Sequence, residues 1–266
     1  MAEHHEIYRR ARYYDIAFRR DVGREVDFLL AACRHHAGAE PASLLDIACG
    51  PGYHAWEAAR RGLRSIGLDL RPEMLELAAA WSAAQGARVE WLAADMRDFR
   101  LDRPVDLAIC MFDSLDALLS NDDIVRHLRI VASNLGPHGL YVLESTHPRD
   151  CSVQSYGDFR YEGRRDGVAV QVTWPSEPPV VDLVAGTAEV AIELRVNERG
   201  RPLRIVETAK ERFPLLPQEI VLLAERSGAF EAIGWYGDFD LDQPLDMSLA
   251  SRHVICVLHK TRTPDG

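Results

Sequence analysis

The run Leu44-Leu45-Asp46-Ile47-Ala48-Cys49-Gly50-Pro51-Gly52 constrains this chain more than any other segment. Its apolar residues read as a buried strand. The strand carries a carboxylate and passes into a loop of small residues, and a helical pattern follows from Tyr53 to Arg61. Strand, acid, loop and helix in that order set the loop at the C-terminal edge of a parallel sheet, where open α/β folds bind nucleotide-like ligands. Glycine suits such a loop because it takes φ > 0 and lets backbone approach a ligand closely.

Two ligand classes fit. Gly50-Pro51-Gly52-Tyr53-His54-Ala55 matches the G-x-G-x-x-[GA] fingerprint of dinucleotide sites, where glycines bring amides to a pyrophosphate. Asp46, however, would repel a pyrophosphate and would suit a ligand bearing an ammonium or sulfonium charge. That favours S-adenosylmethionine (SAM) over a dinucleotide. A tight turn with no ligand is the third reading.

Strands and helices alternate on either side of this loop. An amphipathic helix over 22–37 puts Val26, Leu29, Leu30 and Cys33 on one face, and Gly38 and Pro41 end it. The pattern predicts strands over 43–48, 64–69, 88–93, 105–111 and 140–145, with helices over 53–62, 72–84 and 121–135 between them. Pro72 and Glu73 fit a first helical turn, and Ser120-Asn121-Asp122-Asp123 resembles a capping box. Such alternation implies a parallel sheet covered by helices on both faces.

The pattern changes near residue 148. Residues 168–174 and 188–196 alternate as antiparallel strands do, and the loop 197–201 leads into a strand over 203–212. A helix over 217–227 and strands over 229–236 and 252–259 then resume the first pattern, the last two as antiparallel neighbours. The expected fold is a Rossmann-like α/β domain. It has a seven-stranded, mostly parallel sheet, helices on both faces, and an antiparallel β insertion after strand five. Residues 1–147 form a lead-in and core, 148–213 a lid over the ligand edge, and 214–266 complete the sheet.

Bulk properties narrow the function. A net charge of −10 and no basic run argue against a nucleic-acid partner. No run approaches the ~18 apolar residues of a membrane span. The N-terminus has no apolar signal core, so a cytoplasmic protein is expected. The cysteines at 33, 49, 110, 151 and 256 show no CxxC pair and read as free thiols. The pairs His4-His5 and His35-His36 lack ligand spacing, so no metal is expected. A homodimer is left open.

Acids end three successive strand-like segments, at Asp46, Asp69 and Asp95. Asp69 follows Asp46 by 23 positions, a spacing suited to a ribose-binding acid. At Asp95-Met96 a carboxylate can accept from an adenine amino group while the next amide reaches a ring nitrogen. The segments LLDIACGPGYHAWEAARRG, GLDLRPEML, AADMRDF, VDLAICMFDSLDAL and LGPHGLYVLES resemble the successive motifs of class I SAM-dependent methyltransferases, over about residues 20–146 and again over 215–260. The β insertion and aromatic N-terminus resemble the subgroup acting on amines and hydroxyls of small molecules, sugar and glycine-type N-methyltransferases among them.

The resemblance implies roles. Asp46 lies near the methionine ammonium, directly or through water. Ala48, Gly50 and Gly52 line the methionine and ribose. Ala48 stands where the family commonly has Gly, and suits that place with φ negative. Asp69 binds ribose hydroxyls, Leu70 flanks the adenine, and Asp95 and Met96 hold it. Cys110, Met111 and Phe112 sit beside the reacting methyl, and Tyr14 closes over the cofactor.

Methyl transfer from a sulfonium is an in-line displacement, helped by a base that takes the acceptor's proton. His147, directly after strand five, is the first candidate base. Asp113 can pair with a substrate ammonium or orient a hydroxyl. Tyr156, Tyr161, Trp174, Trp235 and Tyr236 are candidate pocket walls, and Arg149 and Arg160 would favour an acidic substrate. The expected function is methylation of an N or O atom of a small-molecule acceptor, with S-adenosylhomocysteine as product. The rivals are other SAM chemistry, a non-catalytic SAM-binding scaffold and an NAD(P)-dependent oxidoreductase.

Overall fold

The computed structural model describes residues 6–151, 157 and 159–261. Two short helices, α1 (Glu6–Arg9) and α2 (Ala11–Phe18), precede α3 (Gly23–Ala37). The core alternates β1 (Ser43–Ile47), α4 (Tyr53–Arg60), β2 (Arg64–Asp69), α5 (Pro72–Ala84), β3 (Val89–Ala93), β4 (Val105–Cys110), α6 (Asn121–Asn134) and β5 (Leu135–Thr146). The insertion holds β6 (Phe159–Arg165), β7 (Val168–Trp174), β8 (Val180–Asp182), β9 (Thr187–Glu198) and β10 (Arg201–Arg212). The chain returns to the core with α7 (Pro217–Ser227), β11 (Phe230–Tyr236) and β12 (His253–Lys260).

The main sheet runs β11-β12-β5-β4-β1-β2-β3. β1 through β5 pair in parallel, and β12 is antiparallel to both β5 and β11. Strand order therefore reverses between β1 and β4, the switch point where an open α/β sheet leaves a crevice. β1 is buried throughout and β4 at all but Asp106, which is why both read as near-continuous apolar runs. One core layer joins Leu45, Ile47 and Cys110 to α6 and α7, and the other joins Leu44, Leu107 and Ile109 to α3. Ser120 caps α6, its hydroxyl accepting from the Asp123 amide at 3.1 Å.

The insertion is a five-stranded sheet in the order β10-β9-β7-β6, with β8 pairing β9. Strand β6 lies outside the strands the sequence reading marked. Its residues are alternately half-buried and exposed, so no apolar run announces it. Gly163 is required there, because a Cβ would lie 1.7 Å from the Ile16 carbonyl oxygen.

Within the lead-in, helices α1 and α2 pack against the insertion as well as against α5 of the core. Ile7, Ile16 and Phe18 pack with Val170, Val172, Val190 and Leu194 of the insertion sheet. Arg12 pairs with Glu198 at 2.9 Å, Arg165 pairs with Asp15, and the Ile7 amide donates to Glu207 at 3.2 Å. Helix α2 and the insertion thus form one roof over the C-terminal edge of the main sheet.

Candidate active site

Between sheet edge and roof lies a cavity of about 370 Å³. The floor is Ala48, Gly50, Asp69, Leu70, Asp95 and Met96; the roof includes Tyr8, Tyr14, Phe18, Tyr161 and Trp174. The far wall carries Phe112, Asp113, Asp116 and Thr146 from the core and Lys210 and Glu211 from β10.

The floor is built by the loop after β1. Gly50 and Gly52 have φ of 52° and 74°, and a Cβ on Gly52 would lie 2.3 Å from the Trp91 ring. Ala48 has φ of 55°, so the expectation of a negative φ there is corrected. The loop forces a left-handed turn on a residue with a Cβ, a strain often found at ligand-binding turns. Asp69 braces this loop. One carboxylate oxygen accepts from the Gly50 amide and the other from the Arg71 amide, both at 2.8 Å. Burial raises its pKa against the pull of those amides. A carboxylate offers about four acceptor sites, so two stay available to a diol in the cavity.

Asp95 and Met96 line the floor with Leu70, which is 46% exposed. Asp95 is gripped by Arg97, with Nη2 to Oδ2 at 2.7 Å, and Arg97 reaches on to Asp123 at 2.9 Å. These bonds hold the Asp95 carboxyl below its usual range. Buried His127 donates from Nδ1 to the Met96 carbonyl at 2.8 Å and meets the Tyr141 hydroxyl with Nε2 at 2.6 Å. Burial lowers its pKa to about 4, so it stays neutral and fixes the loop.

Asp46, expected near the methionine ammonium directly or through water, lies outside the cavity lining. It is 2% exposed, and its Oδ2 accepts from the Ala55 amide at 3.2 Å, bracing the first turn of α4. Burial pushes its carboxyl up to about 6, with nearby His54 opposing the shift. His54 in turn meets Glu25 at 2.6 Å, and Arg20 also pairs with Glu25. Gly52, Cys110 and Met111 also lie outside the lining. Cys110 and Met111 enter opposite core layers, as neighbours on a strand buried on both faces must, and only Phe112 of that trio reaches the cavity. Tyr14 lines it and stacks on Phe18, ring centroids 4.2 Å apart.

His147 is corrected as a base. It is 1% exposed and away from the lining; its Nδ1 accepts from the Arg149 amide at 3.1 Å and its Nε2 donates to the Asp246 carbonyl at 2.8 Å. Both ring nitrogens are committed to tying down the loop before β12. Arg149 belongs to the same tie, bonding the carbonyls of Ser248 and Ser251. Trp235 and Tyr236 pack in the core, Tyr236 donating to or accepting from His36 at 2.7 Å. Arg160 stays out of the lining, and Tyr156 falls outside the described residues.

Asp113 does face the cavity. It follows Phe112 in a pair of left-handed residues, φ 58° and 57°, and Thr146 holds its carboxylate through backbone amide and hydroxyl, the latter at 2.8 Å. Burial, then Glu144, pushes its pKa up to about 6. Glu144 sits behind the turn, accepting from the Phe112 amide at 2.7 Å and pairing with His253 Nδ1 at 2.9 Å. Burial works against its ionisation, but the His253 and Phe112 bonds hold its carboxyl below the usual value. Glu144 is not singled out from the sequence; the signal available there is an acid directly after the apolar run 140–143. Asp116 and Glu211 gave no such signal.

Residues 44–139 match the model of a methyltransferase domain family. The curated relatives include a dTDP-3-amino-3,6-dideoxy-alpha-D-glucopyranose N,N-dimethyltransferase of Streptomyces fradiae, 33% identical over 50% of this chain and 52% of that protein. Another is a dTDP-4-amino-2,3,4,6-tetradeoxy-D-glucose N,N-dimethyltransferase of Saccharopolyspora spinosa, 33% identical over 40% of this chain and 41% of that protein. The alignments thus span about half or less of these relatives' length. Among solved structures, a SAM-dependent methyltransferase from Clostridium acetobutylicum has a TM-score of 0.75 at 18% identity, covering 95% of this chain and 98% of that one. SAM-bound CalS10, an amino pentose methyltransferase from Micromonospora echinaspora, has a TM-score of 0.69 at 20% identity, covering 97% and 98%. At these identities the likeness is one of fold. The chain thus has the fold of SAM-dependent methyltransferases, and residues 44–139 within it match a methyltransferase domain.

Proposed function

We propose that the protein methylates the nitrogen of an amino group on a small polar molecule, with an amino sugar as the best-fitting class. The observation that carries this reading is Asp113, a half-buried carboxyl on the cavity wall just past β4, held in place by the Thr146 amide and hydroxyl. The curated relatives named for amino-sugar N,N-dimethylation support the choice of acceptor.

Ala48, Gly50, Asp69, Leu70, Asp95 and Met96 would hold SAM, which when bound supplies a methyl group already activated on a sulfonium. The remaining work belongs to the chain. An amine reaches the site as an ammonium and must lose a proton before its lone pair can attack. Asp113 is ionised above about pH 6, so at neutral pH its Oδ atoms attract the ammonium and accept that proton. Thr146 fixes the carboxylate's orientation, and Glu144 fixes the turn that carries it. The aromatic roof of Tyr14, Phe18 and Tyr161 covers the cavity and would help align the acceptor with the methyl group. Alignment of this kind supplies up to roughly 7–11 kcal/mol of barrier reduction.

The test is methyl incorporation from labelled SAM into an amino sugar and into the same sugar with hydroxyl in place of amine. Label should enter only the amine, and Asp113→Asn should lower kcat by about 10²-fold or more. Label in the hydroxyl sugar would move the reading to O-methylation. Binding of S-adenosylhomocysteine without transfer to any amine would favour a scaffold, and binding of NAD(P)H alone would overturn the reading.

A further inference from the structure

The wall that carries Asp113 holds a second carboxyl with no work in the reaction above. Asp116 lies in a 3-10 turn, Ser114–Ala117, directly after the β4 end. It lines the cavity, yet the residue is only 9% exposed. Among the described residues its carboxylate has no hydrogen-bond or ion-pair partner. The other cavity acids differ: Asp69 has two amides, Asp95 and Asp123 share Arg97, and Asp113 has Thr146. The nearest buried cation, Arg212, is turned to the Asn121 side chain at 2.7 Å. Glu211 reaches the same space from β10, braced by the Trp174 indole at 3.4 Å.

An ionised carboxylate held away from water without a partner is strongly unfavourable. Without a partner the Asp116 carboxyl stays protonated, and a cation brought to the cavity wall is what would ionise it, so the partner is left to the ligand. The reacting amine is already matched by Asp113. Resting on the reading that this cavity takes an amine acceptor, we propose that Asp116 and Glu211 form a second cation subsite, so that the acceptor carries two amino groups: one is methylated beside Asp113, the other is recognised by Asp116. Charge supports the pairing. Burial, then Asp113 and Glu211, push the Asp116 carboxyl well above its usual range, and Arg212 only partly opposes them. A second ammonium supplies the missing counter-charge, which a hydroxyl cannot.

The experiment is calorimetric titration of the full chain, with and without S-adenosylhomocysteine, using three matched probes. These are cis-diaminocyclohexane with amines on alternate ring carbons, the corresponding cis-aminocyclohexanol, and cyclohexylamine. The diamine should bind at least about tenfold more tightly than either monoamine. Asp116→Asn should abolish that preference while S-adenosylhomocysteine affinity and unfolding temperature stay at wild-type values. Glu211→Gln should reduce it independently, which covers the case of a poorly folded Asn variant. Equal binding of diamine and aminocyclohexanol would overturn the proposal, as would a preference that survives both substitutions. A chain that binds no S-adenosylhomocysteine but keeps the preference would sink the methyltransferase reading and leave the subsite standing.

Discussion

Replacing Asp69 by Asn tests whether one carboxylate both builds the cofactor floor and binds the cofactor. In the free protein its two oxygens each accept one backbone amide, from Gly50 and from Arg71, at 2.8 Å. Asn keeps one acceptor oxygen and turns an amide donor toward the other backbone N–H. One charge-assisted bond, worth about 1.5–3 kcal/mol, is lost, and a donor faces a donor. The ligand-free protein should therefore lose roughly 2 kcal/mol of stability, several degrees in unfolding temperature for a chain of this size. Binding loses more. The displaced loop includes Ala48 and Gly50, both on the cavity floor, and the bidentate acceptor for a diol is gone. A further loss of about 3 kcal/mol corresponds to S-adenosylhomocysteine binding weakened by roughly 100-fold. Calorimetric titration and thermal unfolding of the same preparation measure both. The parallel Asp95→Asn variant should lose less, because Asp95 is a half-exposed residue held by a flexible Arg97 side chain. Binding by Asp69→Asn within about threefold of wild type, or an unchanged unfolding temperature, would refute the argument.

Three further outcomes are expected. Ala48→Gly should stabilise the protein by roughly 0.5–1 kcal/mol in urea unfolding, because the relief of a left-handed alanine exceeds glycine's entropy cost; a loss of stability would show that the Cβ packs usefully. His147→Ala should destabilise by about 2–3 kcal/mol through two lost buried hydrogen bonds while kcat, assayed well below the transition, stays within about threefold. A kcat drop of about 10²-fold with intact folding would restore His147 as a base. The Glu144–His253 pair should show in pH dependence. Glu144 is held below 4.5, so its contribution is present above that value and lost as pH falls; His253 is held above 6.5 by the Glu144 bond against burial, so its contribution is present below that value and lost as pH rises. The stability difference between wild type and Glu144→Gln should therefore peak between about pH 4.5 and 6.5, and a flat difference would count against the pair.

The main sheet was legible because its central strands β1, β2 and β4 are buried on both faces, so their composition marks them, and the acids at strand ends mark the edge that borders the cavity. Strand β6 was not, because its sequence Phe159-Arg160-Tyr161-Glu162-Gly163 reflects contact with α2, some 145 residues earlier, rather than any local pattern. The site divides along the same line. Position at a sheet edge can be read from sequence; whether an atom there is still free cannot. His147 and Asp113 both follow strand ends, yet His147 is consumed by an amide and a carbonyl of two loops, while Asp113 retains lone pairs toward the cavity. Asp116 is the converse case. It sits in an irregular turn without periodicity, and its lack of a partner among the described residues depends on where Glu211 and Arg212 fall on a strand about 95 residues later. In a fold whose cofactor floor is set by strand ends and whose acceptor wall is completed by an insertion, cofactor class is therefore written locally. On the proposed reading acceptor choice is written in contacts between the turn after β4 and β10, and substitutions there should change the acceptor while leaving the floor intact.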